Sequence, residues 1–115
     1  MIQIKLKDIT AGMLIKCMNE LIDQNGIQTW EYDIMGDYTM TPSQWHKQAW
    51  MRPQEKAGMI VKFGIIPRRD AKLSKEVYAV YHGRFAEMLL AHFDNNIQSL
   101  EISPMLVHGI DVCTE

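Results

Sequence analysis

The sequence predicts an α+β fold: one domain in which an antiparallel or mixed sheet carries about three helices mainly on one face. Three observations lead there. Stretches of two-residue alternation (IQIKL at 2–6, IQTWEYD at 27–33, IQSLEIS at 97–103) interleave with stretches of helical period, the pattern of a sheet and helices sharing a core. No linker, internal repeat or low-complexity segment divides the chain. Finally, 115 residues, 47% hydrophobic and 23% charged, suffice for a single buried core and are too apolar for a disordered chain.

Residues 2–6 read as a short strand. Asp8 or Thr10 then caps a helix to about Gln24, with Leu14, Cys17, Met18, Leu21 and Ile22 on one stripe. Asn25-Gly26 stops it, because both residues tolerate the left-handed conformation. Residues 27–33 form the next strand, Met35-Gly36-Asp37 a turn, and YTM at 38–40 a return strand. TPSQ at 41–44 has the form of a helix start, so WHKQAWM is expected as a short helix ended before Pro53.

The almost wholly apolar 59–66 is expected as a central strand, and VYAVYH at 77–82 as its partner, with PRRDAKLSKE as the hairpin loop between them. A third helix, about 84–93, presents Phe85, Met88, Leu89, His92 and Phe93, and Asn95-Asn96 ends it. The last strand, 97–103, stops at Pro104. The tail MLVHGIDV adds an edge strand or covers the core.

Composition excludes more than it points to. A formal charge of −2 gives no overall attraction to nucleic acid or to anionic membrane. Cys17 and Cys113 lack metal-ligand spacing, and Cys17 is expected to pack as a small hydrophobe. With no signal-like leader and no apolar run of ~20 residues, the expectation is a cytoplasmic protein with no membrane partner. No nucleophile elbow, phosphate-binding glycine loop, HExxH or paired-cysteine motif occurs, so no cofactor, metal or catalytic residue is assigned. No motif resembles a family pattern.

Three surfaces remain. The stretch YHGRFAEMLLAHFD holds His82 at an expected strand end before a helix. There Gly83 permits close approach and Arg84 adds charge, so His82, Gly83 and Arg84 form a candidate anion or substrate site. His92 does not join it: a helix from 84 to 93 separates His82 and His92 by roughly 15 Å. Arg68, Arg69, Lys72 and Lys75 make the 67–76 loop a candidate nucleic-acid contact. Trp30, Tyr32, Tyr38, Trp45 and Trp50 crowd one quarter of the chain beside Met35, Met40 and Met51, residue types that protein interfaces favour.

The leading expectation is therefore a small interaction domain of adaptor, inhibitor or assembly-factor type, bacterial or phage in scale, that binds through this Trp/Met-rich surface. Its partner is another protein or a second copy, the homodimer pairing through strand 59–66 or the tail. Nucleic-acid binding through loop 67–76 is the alternative. An enzyme would need the four histidines to converge with a carboxylate.

Overall fold

The computed structural model describes residues 1–111, so Cys113 and the end of the tail lie outside the described residues. The chain runs β1 (Ile2–Leu6), α1 (Ala11–Asp23), β2 (Trp30–Tyr32), β3 (Tyr38–Met40), β4 (Ala49–Ala57), β5 (Ile60–Pro67), α2 (Lys75–Phe93), a 3-10 turn (Asp94–Asn96) and β6 (Ile97–Ile102). One six-stranded sheet is formed in the order β2-β3-β4-β5-β1-β6, and every neighbouring pair is antiparallel. The α+β expectation holds, with two α-helices in place of about three.

β1 shows why one face is covered. Ile2, Ile4 and Leu6 are buried and alternate with Gln3 and Lys5, so the period-two pattern turns one side to the core. Both helices meet that side through Tyr38. Its ring lies against Phe85 of α2, centroids 5.9 Å apart, and its hydroxyl donates to Asn19 of α1 at 2.6 Å. Phe63 and Phe85 pack at 4.9 Å, and Trp30 stands edge-on to Phe85 at 5.0 Å.

α1 forms as expected, capped by Thr10, whose hydroxyl accepts from the Met13 N–H at 3.2 Å, and closed by Asn25 at φ 63°. Cys17, however, is exposed; Ala11, Leu14 and Met18 make the buried stripe. Two other expectations fail. Residues 45–51 are not a helix: Lys47 at φ 57° breaks the turn that Thr41 and Pro42 begin, and β4 starts at Ala49. Pro53 falls where the β4–β5 register shifts, beyond the last β3 pairing at Met51, and a bulge with an open side admits proline.

The larger correction concerns 77–82, which is the first third of α2. Ser74 caps that helix by accepting from the Val77 N–H at 3.0 Å, and Glu76 favours its positive end. Helical register then brings Tyr81, Phe85, Met88 and Leu89 onto the core. Gly83 does not interrupt it, because that position faces open space. Residues 68–74 are accordingly a strand-to-helix connection and not a hairpin loop. β5 also has a neighbour on each side, so strand 59–66 cannot pair with a second copy.

Candidate functional site

The edges of the sheet differ. β2, at one side, is three residues long; β6, at the other, is six and has no partner beyond it among the described residues. β6 contains neither Lys nor Pro, and its one irregularity lies near its start, where pairing steps from Lys5↔Ser99 to Leu6↔Ile97. From Ser99 onward its outer backbone groups form a regular open row. At its far end Ile102, Met105 and Leu106 are 42, 76 and 42% exposed. A groove of about 440 Å³ opens there between the start of α2 (Leu73, Lys75, Tyr78) and Pro104, Met105 and Leu106.

Tyr78 ties this groove to a buried polar cluster. Its hydroxyl donates to the Ser103 carbonyl and lies 3.0 Å from the Met1 amino nitrogen. That amine also contacts His82 Nε2 at 3.0 Å and Asp111 Oδ2 at 3.1 Å. His82 Nδ1 sits 2.8 Å from the Tyr78 carbonyl, which only accepts; Nδ1 therefore carries the proton and Nε2 accepts from the amine. The two rings stack at 3.9 Å. Burial, then the neighbouring amine, pushes the His82 imidazole down to about 4, and burial lowers the amine from its usual value. Burial, with Asp111 behind it, raises the Tyr78 phenol to about 12.

Asp111 closes the cluster. β1 begins opposite Phe63, which leaves the Ile65 N–H past its end; Asp111 Oδ1 takes that donor at 2.9 Å, and Oδ2 takes the Val107 N–H at 2.7 Å. The tail approaches β5 so closely that a Cβ on Gly64 would lie 1.9 Å from the Ile110 carbonyl oxygen, so only glycine fits. Each acceptor is occupied, and neither Met1, His82 nor Asp111 lines the groove. The arrangement fastens the tail and sets one wall of the groove, and His82 and Asp111 are buried behind it.

The expected sites are largely dispersed. Trp30 and Tyr38, 1 and 0% exposed, belong to the core and present nothing to a partner. Tyr32 is half-buried, its hydroxyl held by Asp23 at 2.9 Å. Trp45 and Trp50, both half-buried, line separate hollows: Trp45 with Met40, Pro42 and Arg84, Trp50 with Asp37, Arg52 and Arg69. His82, Gly83 and Arg84 sit inside α2, so the helix N-terminus needed to hold an anion is absent there. Arg68 is held by Asp70 at 3.1 Å, Lys72 is exposed, and Arg69 and Lys75 border different hollows, the one beside Trp50 and the other beside β6.

Among the described residues no two histidines share a hydrogen-bond partner. His46 meets Glu31 at 3.2 Å, and His92 and His108 are exposed. Among the described residues no group of three His, Cys, Asp or Glu could hold a metal ion. Sequence reasoning missed Tyr78, Asp111 and the β6 edge. Met105 and Leu106 carried a signal, two large apolar residues straight after a strand-ending proline; Asp111 carried none. Comparison with family models, with curated proteins and with solved structures yields no match.

Proposed function

We propose that this domain works by binding another protein, and that the contact is made at the β6 edge. An extended segment of the partner pairs with β6 and sets an apolar side chain into the groove beside Tyr78, Met105 and Leu106. One observation carries the reading: a regular open edge strand runs directly into three exposed apolar side chains and a groove. A row of unpaired N–H and C=O groups is satisfied best by another strand, and the pocket at its end supplies selectivity.

A second copy fits this surface less well. Antiparallel pairing centred on Leu100 would bring Met105 opposite Asn95 and Leu106 opposite Asp94 of that copy, leaving the apolar residues against polar ones. A different chain, with an apolar residue at that register, matches both features. The binding role expected from sequence is retained, but it moves from the Trp-rich segment to the opposite edge of the sheet.

The test is selection of extended peptides from a random display library against the intact protein, followed by hydrogen exchange. Bound peptides should protect the amides of 97–102, and Leu106→Asp should weaken them about tenfold or more at unchanged stability. Protection centred anywhere else would sink the proposal. So would β6 amides already protected in a dimer of the free protein.

A further inference from the structure

The other end of the sheet carries an inference that does not depend on the β6 edge. β4 and β5 are joined by a two-residue turn, Gly58–Met59, with Gly58 at φ 58° as such hairpins require. Met59 and Ile60 are thereby turned outward, 43 and 41% exposed. The first turn of α1 docks on this tip: the Ala11 N–H donates to the Gly58 carbonyl at 2.8 Å, and the Leu6 N–H donates to the Met59 carbonyl at 2.8 Å. Met13, on the same helical turn, is 50% exposed.

Four lysines flank these side chains along the chain and the ladder, on both faces of the sheet. Lys5 stands opposite Ile60 in the β1–β5 ladder, Lys7 lies in the loop before α1, Lys16 is one turn from Met13, and Lys56 precedes the hairpin turn. Among the described residues none of the four has a carboxylate within 4 Å, whereas Lys62 nearby is held by Glu55 at 3.0 Å. The carboxylates at this end are Asp8, Glu55 (engaged with Lys62) and, beyond the Lys7–Asn96 contact, Asp94, with Glu20 one turn along α1 from Lys16. A chain of net charge −2 thus gathers positive charge around exposed methionine and isoleucine.

We propose that this tip is a peripheral contact for an anionic lipid bilayer. Met13, Met59 and Ile60 enter the boundary between headgroups and acyl chains while Lys5, Lys7, Lys16 and Lys56 meet the lipid phosphates. The sequence expectation of no membrane partner rested on the lack of a leader or spanning segment and on a net charge of −2, and no helix among the described residues is long and apolar enough to cross a membrane. Lying on a surface needs no such helix. The surface favours lipid over a folded partner: the grooves at Tyr78, Trp45, Trp50 and His92 all lie elsewhere, and none of them is lined by Met13, Met59 or Ile60. Its composition favours lipid over nucleic acid, since the tip carries no aromatic ring for base stacking and phosphates offer nothing to its apolar side chains.

Flotation of the intact protein with vesicles tests this, using phosphatidylcholine alone and phosphatidylcholine mixed with phosphatidylglycerol. Binding is expected only to the mixed vesicles and weakens with salt. Lys7→Ala and Lys56→Ala should each cost about fivefold. Met59→Ser, an exposed turn position, should weaken binding at unchanged fold, and Leu106→Asp should leave it intact. No binding, equal binding to both vesicles, or a Met59→Ser variant that floats like the parent would overturn the proposal. Preferential capture by single-stranded RNA that Met59→Ser does not affect would overturn it as well.

Discussion

The sheet ends in two ways. At the β2 side the strand is short, Trp30 is packed under it, and the adjoining turn is knotted by Asp33, whose carboxylate accepts from the N–H groups of Met35 and Asp37 at 2.9 and 3.0 Å. Tyr32 is clipped to α1 through Asp23. At the β6 side a longer strand is left open, and the polar investment lies behind it, in the Asp111–His82–Tyr78 cluster that fixes the tail. One edge is short and tied to its surroundings; the other is longer, braced and not covered. Proteins shield exposed edges because they recruit other strands, so an unshielded edge with a reinforced border points to use.

Removing the brace should produce the largest effect. Asp111→Ala leaves the buried N–H of Ile65 and the half-buried N–H of Val107 without acceptors and takes the carboxylate from the Met1 amine. Each orphaned buried donor costs about 1–3 kcal/mol, so a loss of roughly 3 kcal/mol or more in urea unfolding is expected. Hydrogen exchange should rise at Ile65 and Val107 while β2 and β3 keep their protection. Equal loosening of both edges would show that the cluster supports the whole domain rather than this border.

Acid should reach the same border next. His82 is 2% exposed and its folded value, about 4, lies below the 6.5 of a free imidazole, so the neutral ring belongs to the folded state. The unfolded chain gains a proton that the folded one refuses. Its contribution is complete above pH ~6.5 and is lost as pH falls toward ~4, to a total of roughly 3 kcal/mol. Urea midpoints across that window should slope more steeply in the parent than in His82→Gln, whose amide has no charge to gain. Parallel slopes would remove His82 from the account.

The contrast between the edges was only half visible in the sequence. The α+β class, α1 with its Thr10 cap and Asn25 stop, and the strands at 2–6, 38–40 and 97–102 follow from local pattern and capping chemistry. α2 was misread because Val77, Tyr78, Val80 and Tyr81 have high strand preference, a preference set by context, and because Gly83 looks like a break when nothing shows that it faces solvent. That error carried the candidate sites with it. A strand at 77–82 puts His82 at a helix entrance and makes 67–76 a basic hairpin; a helix removes both. Asp111 was illegible for a different reason: its partners Met1 and Ile65 lie 110 and 46 positions away, and no local rule brings them together.

The smallest expected effect lies at the closed edge. Tyr32→Phe deletes a hydroxyl that reaches both oxygens of Asp23 at 2.9 and 3.0 Å, and leaves the ring beside Tyr38. The hydrogen bond is exposed and Asp23 regains water when it is lost, so the urea midpoint should barely move. The phenol titration gives an independent check: hydrogen bonding to Asp23 holds the Tyr32 phenol above its ordinary value, and Asp23→Asn should lower it. β2 should remain protected in both variants, because Trp30 and the Asp33 turn still close that end. If either substitution frees β2 to pair with peptides as β6 is expected to do, then Tyr32 and Asp23, and not strand length, are what distinguish the closed edge from the open one.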